Sequence, residues 1–104
     1  MTKNHLKNKE LDIFGTKFTI EYVDNLSTED TYIYGKTIYE DKRILIATHL
    51  GKTKIPKSEQ QIVLLHEIIH AILDSGEYGN ISTNEPLVEW LARGINATIE
   101  QKIL

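Results

Sequence analysis

Ile62-Val63-Leu64-Leu65-His66-Glu67-Ile68-Ile69-His70-Ala71-Ile72-Leu73-Asp74 is the stretch whose reading decides the rest of the chain. It is apolar enough for a buried helix, yet it carries the pattern His-Glu-x-x-His. At about 100° per residue, His66 and His70 lie one turn apart and about 40° apart around the axis, so both imidazoles can point at one atom. Zinc suits them, because two neutral imidazoles are ordinary zinc ligands. Glu67, about 100° round from His66, can reach a water activated by the metal without being a ligand itself. The pattern therefore supplies two metal ligands, His66 and His70, and a base, Glu67.

The rest of the helical wheel agrees. Ile62, Leu64, Leu65, Ile68, Ile69, Ala71, Ile72 and Leu73 fill an arc of about 200°, while Glu59, His66, Glu67, His70 and Asp74 gather in the remainder with Val63 the one apolar residue among them. One face is core and the other is the candidate site. Two histidines could fall one turn apart by chance, but shuffling this composition yields the five-residue pattern in only about one or two chains per hundred.

The chain has 104 residues, enough for one small domain with a real core. Its net charge of -3 and 26% charged residues describe a soluble globular protein without a basic stripe, so direct binding of nucleic acid is not expected. With no cysteine, any metal must be held by histidine and carboxylate. The polar opening, Met1 to Glu10, contains no secretory signal, and no segment approaches the ~18 apolar residues needed to cross a bilayer. A cytoplasmic protein with no membrane partner is the expectation.

Upstream of the helix the pattern is that of strands. Residues 1 to 10 read as a solvated, fraying start, where His5 stands alone among lysines. From Ile13 to Val23, Phe18, Ile20 and Tyr22 alternate with Lys17, Thr19 and Glu21, the period of a sheet with one wet face. Asp24 to Asp30 is a polar connection. Thr31 to Tyr39 and Arg43 to Thr48 read as two strands of a hairpin with Glu40-Asp41-Lys42 at its tip, and Gly35 marks a bulge or a close backbone approach. Together these predict a small antiparallel sheet of about three strands whose edge beside the helix is free to take up a peptide. Leu50 to Lys57 is a basic loop.

Ser58 and Gln61 form a capping-box pattern that starts the metal helix near residue 59, and Gly76 supplies a left-handed end. Asp74, one turn beyond His70, is either an orienting partner for that imidazole or a plain exposed acid. Tyr78 to Thr83 is a loop. A last helix then runs from about Asn84, with Pro86 tolerated in its first turn and Val88, Leu91, Ala92, Ile95, Ile99 and Ile103 as its apolar stripe. Glu85 and Glu89 lie along one edge of that stripe, where a carboxylate can meet a metal on a packed neighbour. Acids are favoured in a first helical turn for reasons of dipole alone, which explains Glu85 without a metal. Glu89 has no such explanation and is the preferred third ligand, with Glu85, Asp74 or no third protein ligand as the alternatives.

His66-Glu67-Ile68-Ile69-His70, followed 19 positions after His70 by Glu89 in Leu-Val-Glu-Trp-Leu-Ala, resembles the gluzincin metallopeptidases. More closely it is similar to the small ImmA/IrrE-like peptidases carried by phages and mobile elements of bacteria. The segments Tyr34 to Ile38 and Arg43 to Ile46 are similar to the sheet that precedes the motif in those proteins. The resemblance covers roughly residues 14 to 100 and rests chiefly on the His-Glu-x-x-His motif. It implies an α+β fold with the sheet packed on the active-site helix, hydrolysis of peptide bonds, and a protein substrate such as a phage or element repressor. Against the longer members of that family, these residues show no obvious extra domain and no small-residue run after the third ligand.

The expectation is a single-domain zinc peptidase in which His66, His70 and Glu89 hold the metal, Glu67 acts as general base, and Tyr78 or His49 is the candidate donor to the oxyanion. The alternative is a catalytically idle zinc-binding module that acts by contact with a protein partner.

Overall fold

In the computed structural model, which describes residues 9–102, the chain folds as a mixed sheet with helices, an α+β arrangement. Residues 1–8, including His5, and 103–104, including Ile103, lie outside the described residues. Strands β1 (Lys9–Ile13) and β2 (Thr16–Val23) form an antiparallel hairpin. Phe14 and Gly15 at its tip both have positive φ, 49° and 87°, as a tight hairpin turn requires. The sheet thus begins before Ile13: Lys9 and Glu10, assigned to a solvated start by their charge, pair with Ile20 and Thr19.

Beyond β2 the chain makes a separate two-stranded hairpin from β3 (Leu26–Thr28) and β4 (Thr31–Ile33). It bends at Tyr34 and enters the main sheet as β5 (Gly35–Ile38), antiparallel to β6 (Arg43–Ala47). The single strand that the pattern predicts over 31–39 is therefore two strands in two sheets. The main sheet has the order β1-β2-β6-β5, and β2 and β6 run parallel, with Thr19 opposite Arg43 and Val23 opposite Ala47. This corrects the expected antiparallel sheet of about three strands. Since β3, β4 and β5 intervene, β6 returns beside β2 in the same direction, as parallel neighbours joined by a crossover do. The run Ile44-Leu45-Ile46-Ala47 carries the sign of it: all four are buried, and a strand covered on both faces loses its alternation.

After a short hairpin of β7 (His49–Leu50) and β8 (Thr53–Lys54), helix α1 (Lys57–Ser75) begins directly behind Pro56. Ser58 lies inside it and the capping box does not form. Ile55, just ahead of the helix, is buried, and the buried Gln60 amide donates to the Ile55 carbonyl at 2.8 Å. At the other end Gly76 has φ −109°, and Glu77, at φ 66°, takes the left-handed position instead. A Cβ on Gly76 would sit 3.1 Å from the Tyr78 ring.

Helix α1 buries two faces. Toward the sheet, Val63, Leu64, Ile68 and Ala71 meet Ile13, Phe18, Ile20, Ile44 and Ile46. Toward α3 (Glu85–Glu100), Ile62, Leu65, Ile69 and Leu73 meet Val88, Leu91 and Ala92. Val63, grouped with the polar residues on the wheel, belongs to the sheet-facing cluster. Asn84 caps α3 by accepting from the Leu87 N–H at 3.2 Å, and Pro86 sits in the first turn. The α3 stripe buries Val88 and Ala92 but leaves Ile95 and Ile99 exposed. No helix among the described residues is long and apolar enough to cross a membrane.

Candidate metal centre

One turn of α1 separates His66 from His70, and the two rings stand with centroids 4.8 Å apart. Their Nε2 atoms are turned toward each other at 3.1 Å. The first turn of α3 brings Glu85 across this pair, with Oε1 2.9 Å from Nε2 of His66 and Oε2 3.2 Å from Nε2 of His70. Ligand atoms of His66, His70 and Glu85 all lie within 4.8 Å of one another, a group that could hold a metal ion.

The far side of each ring is also occupied. Nδ1 of His66 lies 2.8 Å from Oε1 of Glu89, and Nδ1 of His70 lies 2.9 Å from Oγ of Ser82. A carboxylate only accepts, so Glu89 and Glu85 compete for the one proton of a neutral His66; in the tautomers that donate from Nδ1 of His66 to Glu89 and from Nδ1 of His70 to the Ser82 hydroxyl, the lone pairs of both Nε2 atoms face each other and the Glu85 carboxylate. Such a convergence of acceptors is repulsive by itself and is relieved at once by a cation among them. The donor set fits a borderline metal with nitrogen and oxygen ligands, and the hydrogen bonds at Nδ1 are the ones that orient metal-binding imidazoles.

The two glutamates therefore stand at different nitrogens. Glu85, which first-turn electrostatics had seemed sufficient to explain, faces the converging Nε2 atoms. Glu89, preferred from the sequence, faces the opposite nitrogen of His66. It is fixed there by Arg93, whose Nε donates to Oε2 of Glu89 at 2.7 Å while its guanidinium reaches Glu59 of α1 at 3.2 Å. No hydrogen bond joins Asp74 to His70 among the described residues. It accepts a hydrogen bond from the Tyr39 phenol instead, and burial, followed by that carboxylate, holds the phenol's pKa well above its ordinary value. At Nδ1 the partner of His70 is Ser82, buried on the short helix α2 (Gly79–Ser82) in what the sequence pattern reads as a loop. A single helical turn has no periodicity to detect, so nothing local singles Ser82 out.

Glu67 lies beside the pair, partly buried, with Oε1 accepting from the Thr37 hydroxyl of β5 at 2.8 Å. Burial pushes its carboxyl pKa up, against the opposing pull of the Thr37 hydrogen bond and the two imidazoles. These groups open on a cavity of about 450 Å³ lined also by Tyr34, Gly35 and Arg93.

No family model, curated protein or solved structure matches this chain.

What the cavity can do is set by its own donors. It holds a group that could bind a metal ion, a partly buried carboxylate beside it and a half-exposed phenol, Tyr34, at its wall. Tyr78 and His49, the oxyanion donors suggested by the sequence, are not among its lining residues. The Nδ1 of His49 is engaged with its neighbour Thr48 at 2.8 Å.

Proposed function

We propose that this protein is a zinc-dependent metallopeptidase, of the gluzincin kind that its motif resembles, acting on a specific intracellular protein such as a phage or element repressor. The observation that carries the reading is the convergence of His66, His70 and Glu85 with Glu67 at the wall of the same cavity. In this reading His66, His70 and Glu85 hold the zinc, and Glu89 and Ser82 orient the two imidazoles. Zinc bound there would act as a Lewis acid that acidifies water and polarises a carbonyl.

Glu67 takes a proton from the attacking water as the water oxygen bonds to the scissile carbonyl carbon. The same carboxyl then hands that proton to the amide nitrogen as the C–N bond breaks, leaving an acid and an amine. A carboxyl whose affinity for protons is raised by burial is suited to both halves of that exchange. The phenol of Tyr34 is the donor this reading assigns to the negative charge developing on the carbonyl oxygen. A peptide substrate is favoured over other acyl compounds because β5, the end strand of the main sheet, begins at the cavity with Gly35 and can accept an extended chain along its outer edge.

The test is metal analysis of the purified protein paired with turnover of repressors and of a casein-like unfolded substrate. About one zinc per chain is expected, with slow turnover of the unfolded substrate and selective cleavage of a repressor. Glu67→Gln should keep the zinc and lose turnover. Full zinc occupancy with no cleavage of either substrate would refute the peptidase reading and favour a binding module of the same fold.

A further inference from the structure

Resting on the peptidase reading, we infer that Thr37 is the positioning residue for Glu67, and that Gly35 exists to let the strand carrying Thr37 approach. Residues 35 and 37 are two apart on β5 and so point to the same side, toward α1. At Gly35 the approach is so close that a Cβ would lie 2.6 Å from Cγ1 of Val63 and 3.3 Å from Cγ of Glu67. No residue with a side chain fits that position without moving the strand. Two residues on, the Thr37 hydroxyl donates to Oε1 of Glu67 at 2.8 Å.

This bond does more than anchor a side chain. A glutamate has two equivalent oxygens on a torsion that is broad and roughly two-fold, so a free carboxylate presents either oxygen over a wide range of angles. A donor on Oε1 fixes that torsion and leaves Oε2 as the oxygen that exchanges the proton. The donor also comes from a different element than the metal-binding histidines. The distance between base and metal ligands is then set by packing of β5 on α1 and not by the helix alone. Thr37 touches no reacting atom in this account. It acts through Glu67.

Two measurements on the zinc-loaded full chain test it. The first is a double-mutant cycle in urea between Thr37→Val, which keeps the shape and removes the hydroxyl, and Glu67→Met, which keeps the length and removes the carboxylate. Coupling of about 10-fold in the unfolding equilibrium is expected for a hydrogen bond to a carboxylate. The second is steady-state kinetics. Thr37→Val should lower kcat by about 10-fold with KM and zinc content unchanged, and Thr37→Ser, which restores the hydroxyl, should recover most of the loss. No coupling in the cycle overturns the inference whether or not the protein is active. Coupling with an unaltered kcat also overturns it, as does equal loss in the valine and serine variants, which would mean shape and not the hydroxyl matters. A zinc-loaded wild type without turnover would instead count against the peptidase reading, and the cycle alone would then decide whether Thr37 holds Glu67.

Discussion

Replacing Gly35 with alanine puts a methyl group 2.6 Å from Cγ1 of Val63, where ordinary contact begins at 3.4 Å. The overlap of about 0.8 Å cannot be absorbed by Val63, which in a helix has essentially one χ1 rotamer and is packed against the sheet-facing cluster. Strand β5 must retreat instead. The φ of Gly35 is not in the left-handed region, so the effect is one of space and not of backbone strain. Overpacking of this kind costs about 1–3 kcal/mol, which for a domain this small lowers Tm by about 5–20 °C. A retreat of about 0.8 Å also stretches the 2.8 Å contact between Thr37 and Glu67 beyond the limit of a hydrogen bond, so kcat should fall by about 10-fold while zinc content holds. Thermal unfolding and turnover of Gly35→Ala, Val63→Ala and the double variant would measure this. Val63→Ala removes the methyl group that is struck, so the double variant should be more stable than the sum of the single losses by at least about 1 kcal/mol and should regain turnover. Strict additivity, or a Gly35→Ala protein as stable and active as wild type, would show that β5 is not held against α1 as described.

Four further outcomes are expected. Glu85→Ala should abolish zinc binding measured by competition with a chromogenic chelator, whereas Glu89→Ala, removing the partner of Nδ1, should weaken it by about 10–100-fold; the reverse order would return the ligand role to Glu89. Zinc bound only by the folded chain stabilises it by about 4 kcal/mol at a thousandfold excess over Kd, so excess chelator should lower Tm in scanning fluorimetry, and superimposable melts would mean that no metal is held. Tyr34→Phe should reduce kcat by about 10²-fold with little change in KM, and unaltered turnover would remove Tyr34 from the reaction. The Glu21 carboxylate takes two hydrogen bonds from Arg43, at 2.7 and 2.9 Å, and these hold its pKa below the ordinary value. A depressed folded-state pKa gives stability that is complete above the ordinary value of about 4.5 and is lost as pH falls through the lower one. Glu21→Gln should therefore narrow its Tm gap to wild type as pH drops from 6 toward 3, and a constant gap would refute the linkage.

The motif residues were legible because their information is local. The spacing of His66, Glu67 and His70 on one helix determines by itself that they share its polar side, and Asn84 and Pro86 announce α3 by chemistry confined to its first turn. The apolar residues of α1 were likewise legible as a set, though not how they divide between two neighbours. Choosing between Glu85 and Glu89 was another matter. They lie about one helical turn apart on the same edge of α3, and which of them meets Nε2 and which meets Nδ1 depends on how far α3 is slid along α1, a quantity set by the contacts of Ile62, Ile69, Val88 and Ala92. Ser82 and Thr37 carry no pattern of their own and meet His70 and Glu67 only when a one-turn helix and an end strand are folded against α1. The parallel pairing of β2 with β6 is of the same kind, since strand direction in a sheet is fixed by how the intervening chain returns and not by the residues that pair. The sequence alone determined which side chains α1 gathers on its polar face; tertiary packing decided which carboxylate, which hydroxyl and which strand edge stand beside them, because those distances are set between elements and not within them.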